Sequence, residues 1–245
     1  MPPFLRDMKL PISKRLLCCA EAVPQGAKVA DVGCDHGYLG IYLVQSGRAS
    51  FVHASDLREM PIQKALQNAL RFGTADKMRF SRADGLDAVE PNSVDTVVCA
   101  GMGGDLIAQI LEAAPWVRDN CTLILQPQSS GNDLRRYLGE RGYTILKERL
   151  VQDGGFLYAV MTARFGGGTP LSPGRQYASD ALLSSGDPLL APYLSRIERS
   201  LQETVAGISK GVTDEDRKKL AYYGAAYEEI AAILREINER GQDDA

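Results

Sequence analysis

The sequence is poor in the residues that build metal and redox sites. Among 245 residues there are two histidines, His36 and His53, and five cysteines with no CxxC pair. No Cys/His cluster has metal-ligand spacing, so no metal is expected. Cys18, Cys19, Cys34, Cys99 and Cys121 are odd in number and form no framework, and read as free thiols of a reducing, cytoplasmic environment. Long apolar runs are also missing, which excludes a bilayer-spanning helix. The opening "MPPFLRDMKLPISKRLLCCA" has neither an apolar block nor a small-residue cleavage site, so neither a secretory signal nor a membrane partner is expected. An excess of positive charge is absent too: the formal net charge is −3, and residues 166–245 hold 9 basic against 13 acidic residues. That excludes a global nucleic-acid footprint, so a phosphate-bearing partner needs a local patch. Arg6, Lys9, Lys14 and Arg15 are the candidates, although a solvated helix face accounts for the same charges more simply.

What is present is a regular alternation. "KVADVG" is a compact apolar strand, "YLGIYLVQSG" a helix stopped by a glycine, and "FVHASDL" a second strand. "MPIQKALQNALRFG" is a helix with proline in its first turn and a glycine stop. "KMRFSRADGL", "VDTVVCAGMGG" and "CTLILQP" read as further strands, with helices at "DLIAQILEAA" and "GNDLRRYLGERG". The run 143–165 is two β-rich segments joined by Asp153-Gly154-Gly155, a hairpin signal. Repeated strand–helix units predict parallel strands with right-handed crossovers. The reversed terminal hairpin makes the expected fold an α/β, Rossmann-like seven-stranded, mostly parallel sheet of the class I methyltransferase type. Residues 1–165 are expected to form this domain. "GGGTPLSPGRQ" reads as a linker, and residues 166–245 as linker plus a C-terminal helical hairpin turning at "KGV". Thr213 and Asp216 form a capping-box-like start to its second helix.

The stretch 29–40, "VADVGCDHGYLG", looks like a nucleotide-binding turn but places Asp31 where a dinucleotide site has its first glycine. A carboxylate repels a pyrophosphate. It suits a ligand with an ammonium and a sulfonium, while Gly33 still admits close approach of the backbone. D-x-G-x-D-x-G therefore fits S-adenosylmethionine and suits NAD poorly. Asp56, 23 residues after Gly33, should end the second strand and accept both ribose hydroxyls. Asp84, flanked by Ala83 and Gly85, follows the third strand and is placed to meet the adenine amino group. Ala100, Gly101, Met102 and Gly103 end the fourth. Cys34, Asp35, His36, Gly37 and Tyr38 complete the first loop. Any one of these acids alone reads as a surface loop residue; the set at successive strand ends does not.

"ADVGCDHGYL", "CAGMGGDLI" and "LILQP", with "KLPISKRL" and "QDGGFLYAVM", resemble the bacterial tRNA (adenine-22-N1)-methyltransferase family. Cys34 stands where serine is common there, and Gln128 where asparagine is more usual. The resemblance implies a Rossmann-like catalytic domain and a C-terminal coiled-coil-like domain. It also implies S-adenosylmethionine as cofactor and transfer of its methyl to N1 of an adenine in the tRNA D-loop region. Gly101 to Gly104 are read either as the floor of the base pocket, flanked by Gln126 and Pro127, or, equally, as only a tight strand–helix turn over the methionine moiety. Tyr38, Met102, Lys14 and Arg15 complete the substrate contacts. No general base is identified. A small-molecule or protein methyltransferase, or a protein that holds the donor without transfer, are the alternatives.

Overall fold

The computed structural model describes residues 10–243 other than 210 and 212. Arg6 and Lys9 of the basic patch, and Lys210 and Val212 of the "KGV" turn, lie outside the described residues. Nine α-helices, a short 3-10 helix (Ala75–Lys77) and seven strands follow one another among those described.

The chain enters through helix α1 (Lys14–Ala22), capped by Ser13 Oγ, which accepts from Leu16 N at 3.3 Å. Strand–helix units follow: β1 (Ala27–Val32), α2 (Tyr38–Gln45), β2 (Ala49–Asp56), α3 (Glu59–Phe72), β3 (Met78–Arg82), β4 (Thr96–Gly103), α4 (Gly104–Ala113), the short α5 (Val117–Asn120), β5 (Thr122–Ser129) and α6 (Gly131–Glu140). Then β6 (Tyr143–Asp153) and β7 (Phe156–Phe165) form a hairpin whose last pair is Asp153 with Phe156. The loop between them is thus Gly154-Gly155 alone, both at positive φ, the geometry that matches strand twist.

The sheet order is β3-β2-β1-β4-β5-β7-β6. All neighbouring pairs from β3 to β5 are parallel, and β7 runs antiparallel to both β5 and β6. The expected mixed sheet is therefore present. The order in which strands are added reverses between β1 and β4, while the strands themselves stay parallel, so their carboxyl ends open a crevice there. Alternate residues feed two cores. Val29, Val98 and Ile124 face one with α1, α2 and α3; Ala30, Val97, Cys99, Leu123 and Leu125 face the other with α4 and α6. Helix α1, unforeseen as a packed element, buries Cys18, Cys19 and Ala20 over the first core. Its basic residues are not simply a solvated face, since Arg15 turns inward.

The segment after β7 is strapped down. Glu229 accepts from Gly174 N at 2.8 Å and Ser172 Oγ at 2.7 Å, and Gln176, Ala178 and Ser179 are buried. A short helix, α7 (Asp180–Leu183), leads to α8 (Leu190–Ile208) and α9 (Asp214–Asp243), which pack on one another as a hairpin. Thr213 and Asp216 make the reciprocal cap: Asp216 N donates to Thr213 Oγ1, and Thr213 N to Asp216 Oδ2, each at 3.1 Å.

The helical pair shares a third apolar core with Leu150 and Ala159 of the hairpin. A buried ion pair joins the same parts. Arg135 of α6 and Glu148 of β6 are each 1 % exposed. Arg135 donates to both Glu148 oxygens, to Gln176 O at 3.2 Å and to Tyr193 Oη of α8 at 3.3 Å. Ser179 Oγ donates to Glu148 Oε2 at 2.5 Å. Sheet, strap and helical hairpin thus converge on one carboxylate and one guanidinium. No described helix is long and apolar enough to cross a membrane.

Candidate functional site

The turn after β1 is held by β2. Gly33 N and Cys34 N both donate to Ser55 O, at 2.8 and 2.9 Å. Gly33 has φ +70°, and a Cβ there would lie 2.9 Å from the Met102 methyl. The absent side chain is what lets the β1 and β4 turns face each other across open space. That space is a cavity of 430 Å³.

Asp31, Gly33, Cys34, Asp35, His36, Tyr38, Asp56, Ala100, Gly101 and Met102 all line it, so most of the first-loop and strand-end residues meet at one place. Asp31 is 3 % exposed and its Oδ2 has no hydrogen-bond partner. Burial pushes this carboxyl up to about 7; the Gly40 amide works against that shift and Asp56 adds to it. A buried carboxyl with one unsatisfied oxygen, in a residue that lines the cavity, is a costly arrangement that a cationic ligand relieves. Asp56 is also buried. Its Oδ2 receives Asp35 N at 3.4 Å and its Oδ1 receives Arg58 N at 3.0 Å, which fixes the carboxylate at the strand end.

Asp84 and Gly85 line a different cavity, of 260 Å³, with Leu106, Gln109 and Ile110 of α4. They are tied to the main site through β2: Ala83 N donates to Asp56 O at 3.0 Å, and Ser55 Oγ to Gly85 O at 3.1 Å. Third-strand residues therefore flank the cleft rather than line the cavity.

The four residues from Gly101 divide. Gly101, at φ +85°, carries a bulge in the β4–β5 ladder and turns Met102 into the cavity. Gly104, contrary to expectation, is no part of an open floor. It is buried at the start of α4, and a Cβ there would stand 2.2 Å from Ser130 O. Its smallness serves the contact of two strand–helix turns. Gly104→Ala is accordingly expected to lower stability by about 1–3 kcal/mol, although alanine is the better helix former. Urea unfolding checks this, and a raised midpoint would show that the two turns simply move apart.

Gln126 is likewise not a cavity wall. It is fully buried, with Oε1 accepting from Arg15 Nη1 at 2.5 Å and from Gly101 N at 3.1 Å, and Nε2 donating to Pro127 O at 2.8 Å. Its amide holds Arg15 in place. The Arg15 guanidinium lines the cavity and lies 5.6 Å from the Tyr158 ring centroid. Pro127 borders an adjoining groove with Tyr158, and Lys14 is exposed outside the cavity. Arg58, Leu39 and Gln128 are cavity residues that sequence reasoning missed. For Arg58 the position two residues after the strand-end acid is the only signal; for Gln128 it is the strand-end position after Pro127.

Nothing here resembles a nucleophile–base pair. The Cys34 thiol is pushed far up by burial and by the neighbouring Asp31 and Asp56, and stays protonated. His36 is half exposed, 3.8 Å from Asp35, and tilts against Tyr38 at 5.9 Å. Among the described residues no group of His, Cys, Asp and Glu is placed to hold a metal ion. The arrangement binds and aligns; it does not present a catalytic dyad.

Comparison with known proteins supplies the family. A family described as "Methyltransferase domain" matches residues 12–161. The tRNA (adenine(22)-N(1))-methyltransferase of Bacillus subtilis is 33% identical over 192 residues, covering 77% of this chain and 76% of that protein. The chain belongs to this methyltransferase family. The crystal structure of the Bacillus subtilis enzyme superposes with a TM-score of 0.82 at 29% identity, over 92% of this chain and all of that one. A putative tRNA (m1A22) methyltransferase of Streptococcus pneumoniae, crystallised with S-adenosyl-L-methionine, gives 0.78 at 30% identity, over 91% of this chain and 99% of that one. The methyltransferase fold thus accounts for the sheet order, and the similarity extends across the C-terminal helices.

Proposed function

We propose that this protein transfers the methyl group of S-adenosylmethionine to N1 of adenine 22 in tRNA. The observation that carries the donor half is Asp31, a buried carboxyl with an unpartnered Oδ2, in the lining of a cavity that also presents Asp56. A donor with an ammonium, a sulfonium and a ribose diol complements both acids, whereas a pyrophosphate does not. The acceptor half rests on kinship with the Bacillus subtilis tRNA enzyme.

In this reading Asp31 takes the ammonium, Asp56 the two ribose hydroxyls, and the flanking Asp84 the adenine edge, as it stands beyond β3 beside the main cavity. Gly33 and Gly101 to Gly103 bring backbone close to the ligand. S-adenosylmethionine supplies, when bound, an electrophilic methyl on a sulfonium. Adenine N1 carries an in-plane lone pair and needs no deprotonation, so the absence of a dyad is in keeping with the reaction. The chain's task is alignment and tolerance of the cation that forms. Asp31, Asp35 and Asp56 supply the negative field; Arg15, held back against Gln126 and Tyr158, faces the side from which an RNA backbone approaches. N1 lies on the pairing edge, so the base must be unpaired or flipped. His36 orders the first loop through its carbonyl, which accepts from Asn68 Nδ2 at 2.9 Å. Buried free thiols suit the reducing cytoplasm where tRNA is processed. Residues 166–245 serve as a second, helical domain on the RNA side.

Radiolabelled S-adenosylmethionine and unmodified tRNA, followed by nuclease digestion, test this directly. Label in 1-methyladenosine at position 22 is expected. Donor binding without label in RNA would move the acceptor to another class.

A further inference from the structure

The catalytic cavity does not end at Gln128. That residue also lines a groove of 120 Å³ running past Pro127 and Tyr158 to Tyr193 of α8. Gly131, Arg135, Leu157 and Tyr193 are shared with a further stretch of 350 Å³ that reaches Arg196 and Ser200. The path thus leads from the methyl-transfer site, between the sheet end and the helical hairpin, out along α8.

Its chemistry differs from that of the cavity. The cavity wall holds Asp31, Asp35 and Asp56 together with Arg15 and Arg58; neither stretch of the groove has an Asp or Glu in its lining. Arg135 in its floor is neutralised by Glu148, whereas Arg196 is exposed and makes no ion pair among the described residues. Three tyrosines, 158, 177 and 193, border the groove half-buried. Tyr193 is held rigid, since its hydroxyl donates to Tyr177 O and accepts from Arg135, both at 3.3 Å. Fixed aromatic rings beside an unneutralised cation, in a groove free of carboxylates, match a single-stranded polyanion whose bases can stack.

We propose that this groove seats the RNA strand flanking the target adenine, with Arg196 against a backbone phosphate and Tyr158 and Tyr193 beside bases. The assignment rests on the reading that the acceptor is tRNA, and it makes α8 part of the RNA-binding surface.

Arg196→Glu and Ser200→Glu each place an acid on the outer groove wall, at solvent-facing positions of α8. Lys77→Glu, in the turn before β3 at the opposite end of the sheet, is the control with the same charge change as Arg196→Glu. The measurements are tRNA binding by anisotropy at several salt concentrations, donor binding by calorimetry, and methyl transfer. For Arg196→Glu the tRNA Kd should rise about tenfold and the log–log salt slope fall by about 1. Ser200→Glu should weaken binding in the same direction, Lys77→Glu should bind as wild type, and the donor Kd should not move in any of them. Wild-type tRNA affinity and salt slope in both groove variants would overturn the groove while leaving the methyltransferase reading intact. Weakened RNA binding in the variants, with no methyl transfer by the wild-type protein, would keep the groove and discard the reading. A wild-type protein that binds no RNA would overturn both.

Discussion

Replacing Glu148 with alanine is expected to lower the unfolding free energy by about 3–5 kcal/mol, because it strands a buried guanidinium without its counter-charge. Arg135 would keep only Gln176 O and Tyr193 Oη as partners, and Ser179 Oγ would lose its acceptor. At this chain length the thermal midpoint should fall by roughly 10 °C. The pair itself is not the source of that stability. Arg135→Met with Glu148→Leu removes both charges together, and most of the loss should be recovered. Denaturant unfolding of the single and double variants reads both effects. A single variant within about 1 kcal/mol of wild type would mean that water reaches the pocket, and that this network does not tie the strap and α8 to the sheet.

The second large effect concerns Asp31. The Asp31→Asn substitution should stabilise the ligand-free protein at pH 8 and abolish most donor binding, by about a hundredfold or more for a lost buried charge pair. The sign follows from the raised folded-state value of about 7. The folded protein holds this proton more tightly than the unfolded chain, so folding stability falls as pH rises from about 4 to about 7. The loss is on the order of 4 kcal/mol above that window. The Asp31→Asn variant would lack that slope, and the difference between the two unfolding curves isolates it from every other carboxylate. Donor affinity runs the opposite way. A cation selects the ionised form, so affinity should climb up to about tenfold per pH unit below 7 and level off above it. Calorimetry across pH 5.5–8.5, in buffers of different ionisation heat, measures the released proton. An affinity independent of pH with no proton released would show that Asp31 is already charged before the ligand arrives.

Both effects arise where the sequence was only partly readable. The strands were legible because apolar alternation and glycine or proline stops act over a few residues. So was the hairpin, since Asp153-Gly154-Gly155 restricts the turn locally, and so was the Thr213–Asp216 cap. The first loop was legible for the same reason. Asp31, Gly33 and Asp56 stand at strand ends, and strand ends in a parallel sheet share one side of the molecule. Chain order alone thus determined the fold class and where the donor cavity would open.

Tertiary structure decided what each neighbouring residue does there. Gln126, expected at a strand end, lies inside β5 and faces Arg15, 111 residues away, and not the cavity. Gly104 sits in a glycine-rich turn like Gly101, but only one of them has Ser130 O pressed against the place of a side chain. Arg135 and Glu148 look like ordinary surface charges of a helix and a strand, and become a buried pair only once the strap and α8 cover them. Propensity and periodicity are properties of short segments. Burial and charge pairing depend on which distant segment arrives opposite, and that is fixed only when the whole sheet and its helical hairpin have closed.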